Sequence, residues 1–187
     1  MTDIQLRNTV NSFGWVAIII HWVSAALVIF MFGLGLYMVD LGYYDPWYRD
    51  GLTLHKSLGV VFCAFLSARL IWRLIGLVPT GAKGGGTVEQ KMAKVAHFLL
   101  YLLMFFLVVS GYLISTADGR GVEVFGLFSV PSVGEFIENQ EDLSGEVHEI
   151  IAWSLIVLAG IHALAAFKHH FVDRDKILIN MLYPGKK

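Results

Sequence analysis

The chain has 187 residues, of which 56% are hydrophobic and only 16% are charged, whereas soluble domains carry about 25% charged residues. This composition excludes an ordinary soluble fold, because the chain lacks the polar surface to cover its apolar mass, and it indicates a protein solvated by a bilayer. The net charge of −1 shows no basic bias, which argues against nucleic acid as a partner.

Four long apolar segments follow one another along the chain. They cover about residues 13–39, 54–77, 92–117 and 147–171. Each is long enough for the roughly 20 residues that cross a hydrocarbon core as a helix. The first is too long for a signal-peptide core and lacks a cleavage site of small residues, so we interpret it as a retained helix. We therefore predict an all-α integral membrane four-helix bundle, formed as a single transmembrane domain over residues 1–187.

Basic residues are distributed unevenly between the connections, and positive charge marks the cytoplasmic side of a membrane protein. The group between helices 2 and 3 comprises Arg69, Arg73, Lys83, Lys91 and Lys94, and the tail carries Lys168, Arg174, Lys176, Lys186 and Lys187. The other two connections, at 40–50 and 118–149, contain one arginine each, Arg49 and Arg120. We therefore expect both termini and the glycine loop at 84–86 on the cytoplasmic side of the cell inner membrane.

The connection at 116–147 is long for a helical bundle, in which about 2 to 8 residues join neighbouring helices. Its stretch at 132–142 is compatible with a short surface helix. The length leaves two interpretations open: a lid or docking surface over one end of the bundle, or a tolerated insertion.

Histidines are the most informative residues of the predicted spans. Of seven in the chain, five lie within or at the edge of a span: His21, His55, His97, His148 and His162. Ionisable side chains at membrane depth are costly and usually functional. A hydrogen bond between helices explains one such histidine equally well, but that explanation weakens for five in one small bundle. The pattern favours a cofactor that histidine binds.

Position along the helices separates these histidines into two levels. His162 lies 14 residues beyond His148 on helix 4, a rise of about 21 Å and close to four full turns, so both share one face at different depths. His55 lies at the same outer edge as His148. At the inner level, either His21 or His97 can be the partner of His162. Two imidazoles on facing helices can fill both axial positions of a haem iron, whereas a structural zinc site needs four ligands, commonly with cysteine.

Three arginines, Arg69, Arg73 and Arg120, lie near the expected levels of the haem edges. Haem propionates need charged partners, and a guanidinium binds a carboxylate with two hydrogen bonds. For each arginine alone, charge that reaches back to the membrane surface is the simpler explanation. We keep all three as candidate cofactor-binding residues.

Five stretches of the chain together resemble a known family. They are His21–Trp22, LHKSLGV at 54–60, AHFLLYLLM at 96–104, SGYLISTADG at 110–119 and GEVHEIIAWSLIVLAGIHALAAFKHHF at 145–171. With these motifs the chain resembles the bacterial cytochrome b561 family over nearly its whole length. The last stretch is the most specific, and its histidine spacing also recurs in the cytochrome b subunits of membrane formate dehydrogenases and hydrogenases.

The resemblance implies two haem b groups that exchange electrons with the quinone pool. It implies that His21 and His162 are the iron ligands of a haem on the cytoplasmic side. It implies that His55 and His148 hold the outer haem. His97 would then remain without iron, beside a quinone or a propionate.

The leading hypothesis is a membrane electron carrier that couples a periplasmic donor, either superoxide or a redox protein, to ubiquinone. An oxidoreductase activity of the superoxide:quinone type is therefore left open, although the acidic outer connections would repel an anion. The alternatives are a cytochrome b anchor subunit of a larger dehydrogenase or hydrogenase, and a non-redox bundle whose histidines join helices. Lipid, quinone and a periplasmic redox protein are the expected partners, and a homodimer is left open.

Overall fold

Four long helices dominate the computed structural model, which describes residues 4–79 and 86–184. The elements in chain order are α1 (Trp15–Val39), α2 (Trp47–Ile75), α3 (Thr87–Thr116), β1 (Val122–Val124), β2 (Phe128–Val130), α4 (Gln140–Phe171) and α5 (Ile177–Asn180). Each of the four long helices is long and apolar enough to cross a membrane. This confirms the predicted helical membrane fold with four spans. Three of the basic residues used above, Lys83, Lys186 and Lys187, and residues 84 and 85 of the glycine loop, lie outside the described part of the chain.

Three helices begin earlier than the apolar pattern predicts, because a helix continues beyond the part that lipid surrounds. Helix α3 begins at Thr87 instead of about residue 92. Helix α2 begins at Trp47 instead of about residue 54, and the Asp45 carboxylate accepts a hydrogen bond of 2.9 Å from the Trp47 backbone N–H. Helix α4 begins at Gln140 instead of about residue 147, with Glu141 and Asp142 in its first turn. Negative charge is favourable there because it faces the positive end of the helix dipole.

Contacts divide the chain into two compact units, and each long helix contributes to both. The terminal unit comprises Met1–Ala25, Phe65–Leu100 and Val157–Lys187, and the hairpin unit comprises Ala26–Ala64 and Tyr101–Ile156. Each candidate group of histidines falls within one unit. The organisation of residues 1–187 as a single domain stays a prediction.

The connection between α3 and α4 is an ordered part of the hairpin unit. Strands β1 and β2 pair antiparallel, and the Val122 and Val124 side chains of β1 are buried. The turn between the strands has φ of 50° at Phe125 and 69° at Gly126, the left-handed conformation of a type I′ turn. The expectation of a short surface helix at 132–142 is wrong. The part of this stretch before residue 140 is irregular, and residues 140–142 form the start of α4.

A buried serine on α2 anchors the hairpin. The Ser57 side chain is fully buried. Its hydroxyl donates to the Glu123 carbonyl oxygen at 3.2 Å and accepts from the Phe125 N–H at 3.1 Å. The hairpin is therefore attached to α2 two residues beyond His55.

A buried glutamine at the start of α4 anchors the rest of the connection. The Gln140 side chain is fully buried, and its Oε1 accepts from the Phe136 N–H at 3.1 Å. Its amide nitrogen donates to the carbonyl oxygens of Leu113 at 3.2 Å and Gly134 at 3.1 Å. One side chain thus joins the end of α3, the connection and the start of α4.

Replacing Gln140 by leucine should destabilise the folded protein by about 3 kcal/mol, because three buried backbone groups lose their partner while the side-chain volume is kept. Thermal unfolding of the purified protein in detergent measures the effect. Glu141→Leu is the matched control, since the neighbouring Glu141 side chain is exposed. Equal melting temperatures for the two variants would contradict the anchoring role.

In the terminal unit, hydrogen bonds hold the segment before α1 and the short helix α5. The Asn8 amide nitrogen donates to the Leu77 carbonyl at 2.8 Å, and its oxygen accepts from the Gly14 N–H at 2.9 Å. The Trp22 indole N–H donates to the Met181 carbonyl at 2.7 Å. The described ends of the chain therefore both belong to this unit, and their cytoplasmic orientation stays a prediction.

Candidate cofactor sites

The buried side chains of α4 follow one stripe along the helix. Gln140, Ser144 and Leu155 are buried. His148 lies four residues beyond Ser144, and His162 lies seven beyond Leu155; such intervals return to the same helix face. Both imidazoles are partly buried. Helical periodicity therefore places the two histidines on one face of α4, and their role as ligands stays a prediction.

In the hairpin unit, the imidazole rings of His55 and His148 face each other. Their centroids are 6.3 Å apart and their planes are inclined by 72°. An imidazole nitrogen binds a transition metal at about 2 Å, so two rings on opposite sides of one metal have centroids about 6 Å apart. The observed separation fits a metal ion held between the two rings, and the inclination is unrestricted because each ring can turn about its metal bond.

The His148 ring packs directly against helix α3. The Ser110 hydroxyl lies 3.0 Å from His148 Nδ1 and donates to the Leu107 carbonyl oxygen at 3.1 Å. A Cβ atom added to Gly111 would lie only 3.0 Å from His148 Cε1 and 3.3 Å from Nδ1. The glycine therefore lets the ring lie directly against α3, and the serine beside it bonds the ring nitrogen.

The His55 ring has a different environment. Gly35 on α1 faces it, and a Cβ atom added there would lie 3.7 Å from His55 Cε1. The Nδ1 atom of His55 is enclosed and has no hydrogen-bond partner among the described residues. Buried polar atoms without a partner are rare, so this nitrogen distinguishes the His55 ring from the His148 ring.

In the terminal unit, three histidines come together. The ring centroids of His97 and His162 are 5.1 Å apart, which is shorter than the separation of about 6 Å that a metal between two rings requires. His21 is close enough to interact electrostatically with both, and its ring packs edge-on against Trp22 with centroids 5.3 Å apart. The structure thus brings together both partners that the sequence left open for His162.

Arg69 of α2 joins this group. Its Nη2 lies 2.8 Å from His21 Nδ1. A guanidinium has only donors, so His21 Nδ1 accepts this hydrogen bond and the neutral ring carries its proton on Nε2. Arg73, one turn further along α2, acts electrostatically on His97. Two of the three candidate arginines therefore lie with the histidines of the terminal unit.

The third candidate arginine, Arg120, lies in the connection of the hairpin unit. Its Nε donates to the Asp118 carboxylate at 2.7 Å, and its side chain is 85% exposed. This hydrogen bond lowers the pKa of Asp118 and raises that of Arg120. The guanidinium thus already has a carboxylate partner, and its role toward a propionate stays a prediction.

A separate group of potential metal ligands lies at the start of α3 and the end of α4. Glu89, His169 and Asp173 bring one donor atom each to within 4.8 Å of one another. The Lys168 ammonium contacts the Glu89 carboxylate at 2.6 Å and the Asp173 carboxylate at 2.9 Å. Because the Lys168 ammonium contacts both carboxylates and His169 Nδ1 also contacts Asp173 at 3.0 Å, we interpret the group as an ion-pair link between two helix ends.

Sequence reasoning missed Ser110 as a member of the candidate site. It lies inside the SGYLISTADG motif, but serine is common in membrane helices and usually bonds its own helix backbone. Its contact joins two helices whose relative rotation the sequence leaves open.

Four apolar helices that carry paired imidazoles first define the class of protein: a multi-pass helical membrane protein. Residues 12–184 match the family model of prokaryotic cytochrome b561. The chain belongs to this family.

Curated relatives extend over nearly the whole chain. Cytochrome b561 homolog 2 of Escherichia coli strain K12 is 43% identical over 178 residues, which cover 95% of each chain. A probable superoxide oxidase of Yersinia pestis is 28% identical over 90% of this chain and 93% of its own length. Cytochrome b562 of Cereibacter sphaeroides is 27% identical over 89% of this chain and 92% of its own length.

Membership of the family and the four apolar helices together establish the coarse function. The chain is a multi-pass protein of the inner membrane that binds haem b and transfers electrons. The predicted family, fold, membrane and type of cofactor are thereby confirmed. A non-redox bundle, one of the alternatives left open by the residues, is excluded.

Proposed function

We propose that this cytochrome holds two haem b groups and passes electrons from a periplasmic donor to ubiquinone. His55 and His148 are the ligands of one iron, in the hairpin unit. His21 and His162 are the ligands of the other, in the terminal unit. The observation that carries the proposal is the separation of 6.3 Å between the His55 and His148 rings, which suits one iron between two imidazoles.

Haem iron supplies a one-electron carrier at each site. Two histidines at each site would hold the iron, an arrangement that favours electron transfer over oxygen activation. Arg69 and Arg73 supply positive charge for the propionates in the terminal unit, since guanidinium groups pair well with carboxylates. Arg120 is the corresponding candidate in the hairpin unit.

Two arguments favour His21 over His97 as the partner of His162. The rings of His97 and His162 are too close to each other, at 5.1 Å, to hold an iron between them, and the family resemblance assigns His21. For His21 Nε2 to bind iron, the neutral ring has to carry its proton on Nδ1. A protonated Nδ1 cannot accept the hydrogen bond from Arg69. Iron ligation and this hydrogen bond therefore exclude each other. Arg69 then pairs with a propionate instead.

His97 is our candidate for the quinone site. Its imidazole is partly buried in the terminal unit, where its ring N–H can donate to a quinone carbonyl oxygen. Reduction of one quinone to quinol takes two electrons and two protons. The basic residues of the terminal unit favour the cytoplasmic side for this reaction.

The donor is either superoxide or a periplasmic redox protein. A relative named as a probable superoxide oxidase supports superoxide, which would give one electron to the haem and leave as oxygen. Exposed acids of the connection and of the first turn of α4, among them Glu135, Glu138 and Asp142, repel an anion and attract a basic protein. The histidine spacing of helix 4 supports one further function, the anchor subunit of a dehydrogenase or hydrogenase, and copurification of a partner would reveal it.

Electron transfer to quinone can be tested with the purified protein. We expect ubiquinone-1 to reoxidise the dithionite-reduced haems without oxygen, as followed by the loss of the reduced α-band. His97→Ala should slow this reaction by roughly tenfold, the equivalent of one hydrogen bond of about 1.4 kcal/mol, and should leave oxidation by ferricyanide unchanged. Haems that stay reduced in excess quinone but are oxidised by ferricyanide would contradict the proposal.

A further inference from the structure

The hydrogen bonds around Ser110 favour one position of the ring proton of His148. The Ser110 hydroxyl hydrogen is directed to the Leu107 carbonyl oxygen at 3.1 Å. Its oxygen therefore meets His148 Nδ1, 3.0 Å away, with a lone pair. With the hydroxyl hydrogen in this position Nδ1 is the donor of the contact, so in the neutral ring the proton lies on Nδ1 and the Nε2 lone pair is free for a metal.

We propose that Ser110 is a positioning residue for the haem of the hairpin unit, which acts through His148 by fixing the tautomer, the rotation and the donor strength of its imidazole. The inference rests on the proposed ligation by His148. Ser110 is 5% exposed, so water does not compete effectively for the contact. Gly111 allows this contact, because any side chain there would push the His148 ring away from the serine hydroxyl.

The two axial ligands of this haem are then unequal. His148 donates a hydrogen bond through Nδ1, whereas His55 Nδ1 has no partner among the described residues. A ligand that donates such a bond is the more basic one. A more basic imidazole stabilises ferric over ferrous iron, so the Ser110 contact lowers the reduction potential of this haem relative to a site without it.

Valine and threonine at position 110 test the proposal as a matched pair, because they have the same shape and differ in the hydroxyl. In the haem-loaded protein, Ser110→Val should raise the reduction potential of one haem and shift its low-spin ferric EPR signal, while the other haem is unchanged. Retention of that haem should weaken by up to about a hundredfold. Ser110→Thr should behave as the unsubstituted protein, and Ser110→Ala should follow the valine variant.

Ser115→Ala is the control, because the Ser115 hydroxyl donates to the Gly111 carbonyl of its own helix at 2.8 Å. An unchanged potential and EPR signal in Ser110→Val and Ser110→Ala would overturn the proposal, and so would equal shifts in the threonine and valine variants. His148→Ala separates this failure from a failure of the proposed function. If His148→Ala loses one haem while Ser110→Val changes nothing, only the role of Ser110 is wrong; if His148→Ala keeps two haems, the ligation itself is wrong.

Discussion

Replacing His148 by alanine is expected to reduce the haem content from two per chain to one. The His148 ring is one of the two whose centroids lie 6.3 Å apart in the hairpin unit, and a haem held by a single histidine would be lost during purification. His162→Ala should also leave one haem. In that variant the haem of the hairpin unit should remain, because His162 belongs to the terminal unit. Pyridine haemochrome assays give the count, and the reduction potential of the remaining haem shows which site is occupied.

His170→Ala is the matched control for these two variants. His170 is a partly buried histidine of the same helix to which we assign no ligand role. It should keep two haems. Unchanged haem content in both His148→Ala and His162→Ala would reject the assignment of α4 as the helix that contributes to both sites.

Replacing His21 by alanine is expected to remove the haem of the terminal unit, whereas His97→Ala should retain it. Both imidazoles lie beside His162, but the His97 and His162 ring centroids, 5.1 Å apart, are too close to hold an iron between them, so the proposed pairing assigns the iron to His21. Haem content and the EPR signals of the two low-spin ferric haems measure the outcome. The haem contents of the two variants should differ by one haem per chain.

The double variant His21→Ala/His97→Ala is the internal control for this comparison. It should resemble His21→Ala in haem content. Loss of the haem in His97→Ala with retention in His21→Ala would exchange the two roles. The Arg69 guanidinium would then hold His21 permanently through the bond of 2.8 Å, and His21 instead of His97 would be the candidate for the quinone.

The sequence predicts part of this architecture and leaves part of it open. Four apolar segments were sufficient to predict four spans, because the cost of an unsatisfied backbone in lipid makes helices the default for such segments. Helix starts at Trp47 and Gln140 were missed, since the polar turns beyond the membrane carry no apolar signal. The hairpin was missed as well: its strands have three residues each, and their pairing depends on contacts with Ser57 that are distant in the sequence.

In the candidate sites, too, the sequence predicts some features and leaves others open. The spacing of His148 and His162 is a property of one helix, so helical periodicity alone predicts that they share a face. The partner of each histidine belongs to another helix, and the rotation of that helix decides which side chain faces inward. For this reason the sequence left His21 and His97 as alternatives, and it gave no indication that Ser110 bonds His148 or that Arg69 bonds His21.

By itself, the sequence determined that this protein lies in a membrane, crosses it four times and carries histidines suited to haem, because hydropathy and helical periodicity are local properties of the chain. The tertiary structure decided which rings meet, at 6.3 Å in the hairpin unit and 5.1 Å in the terminal unit, and which of their nitrogens are already engaged. These are properties of distances between helices, which depend on the packing of all four at once.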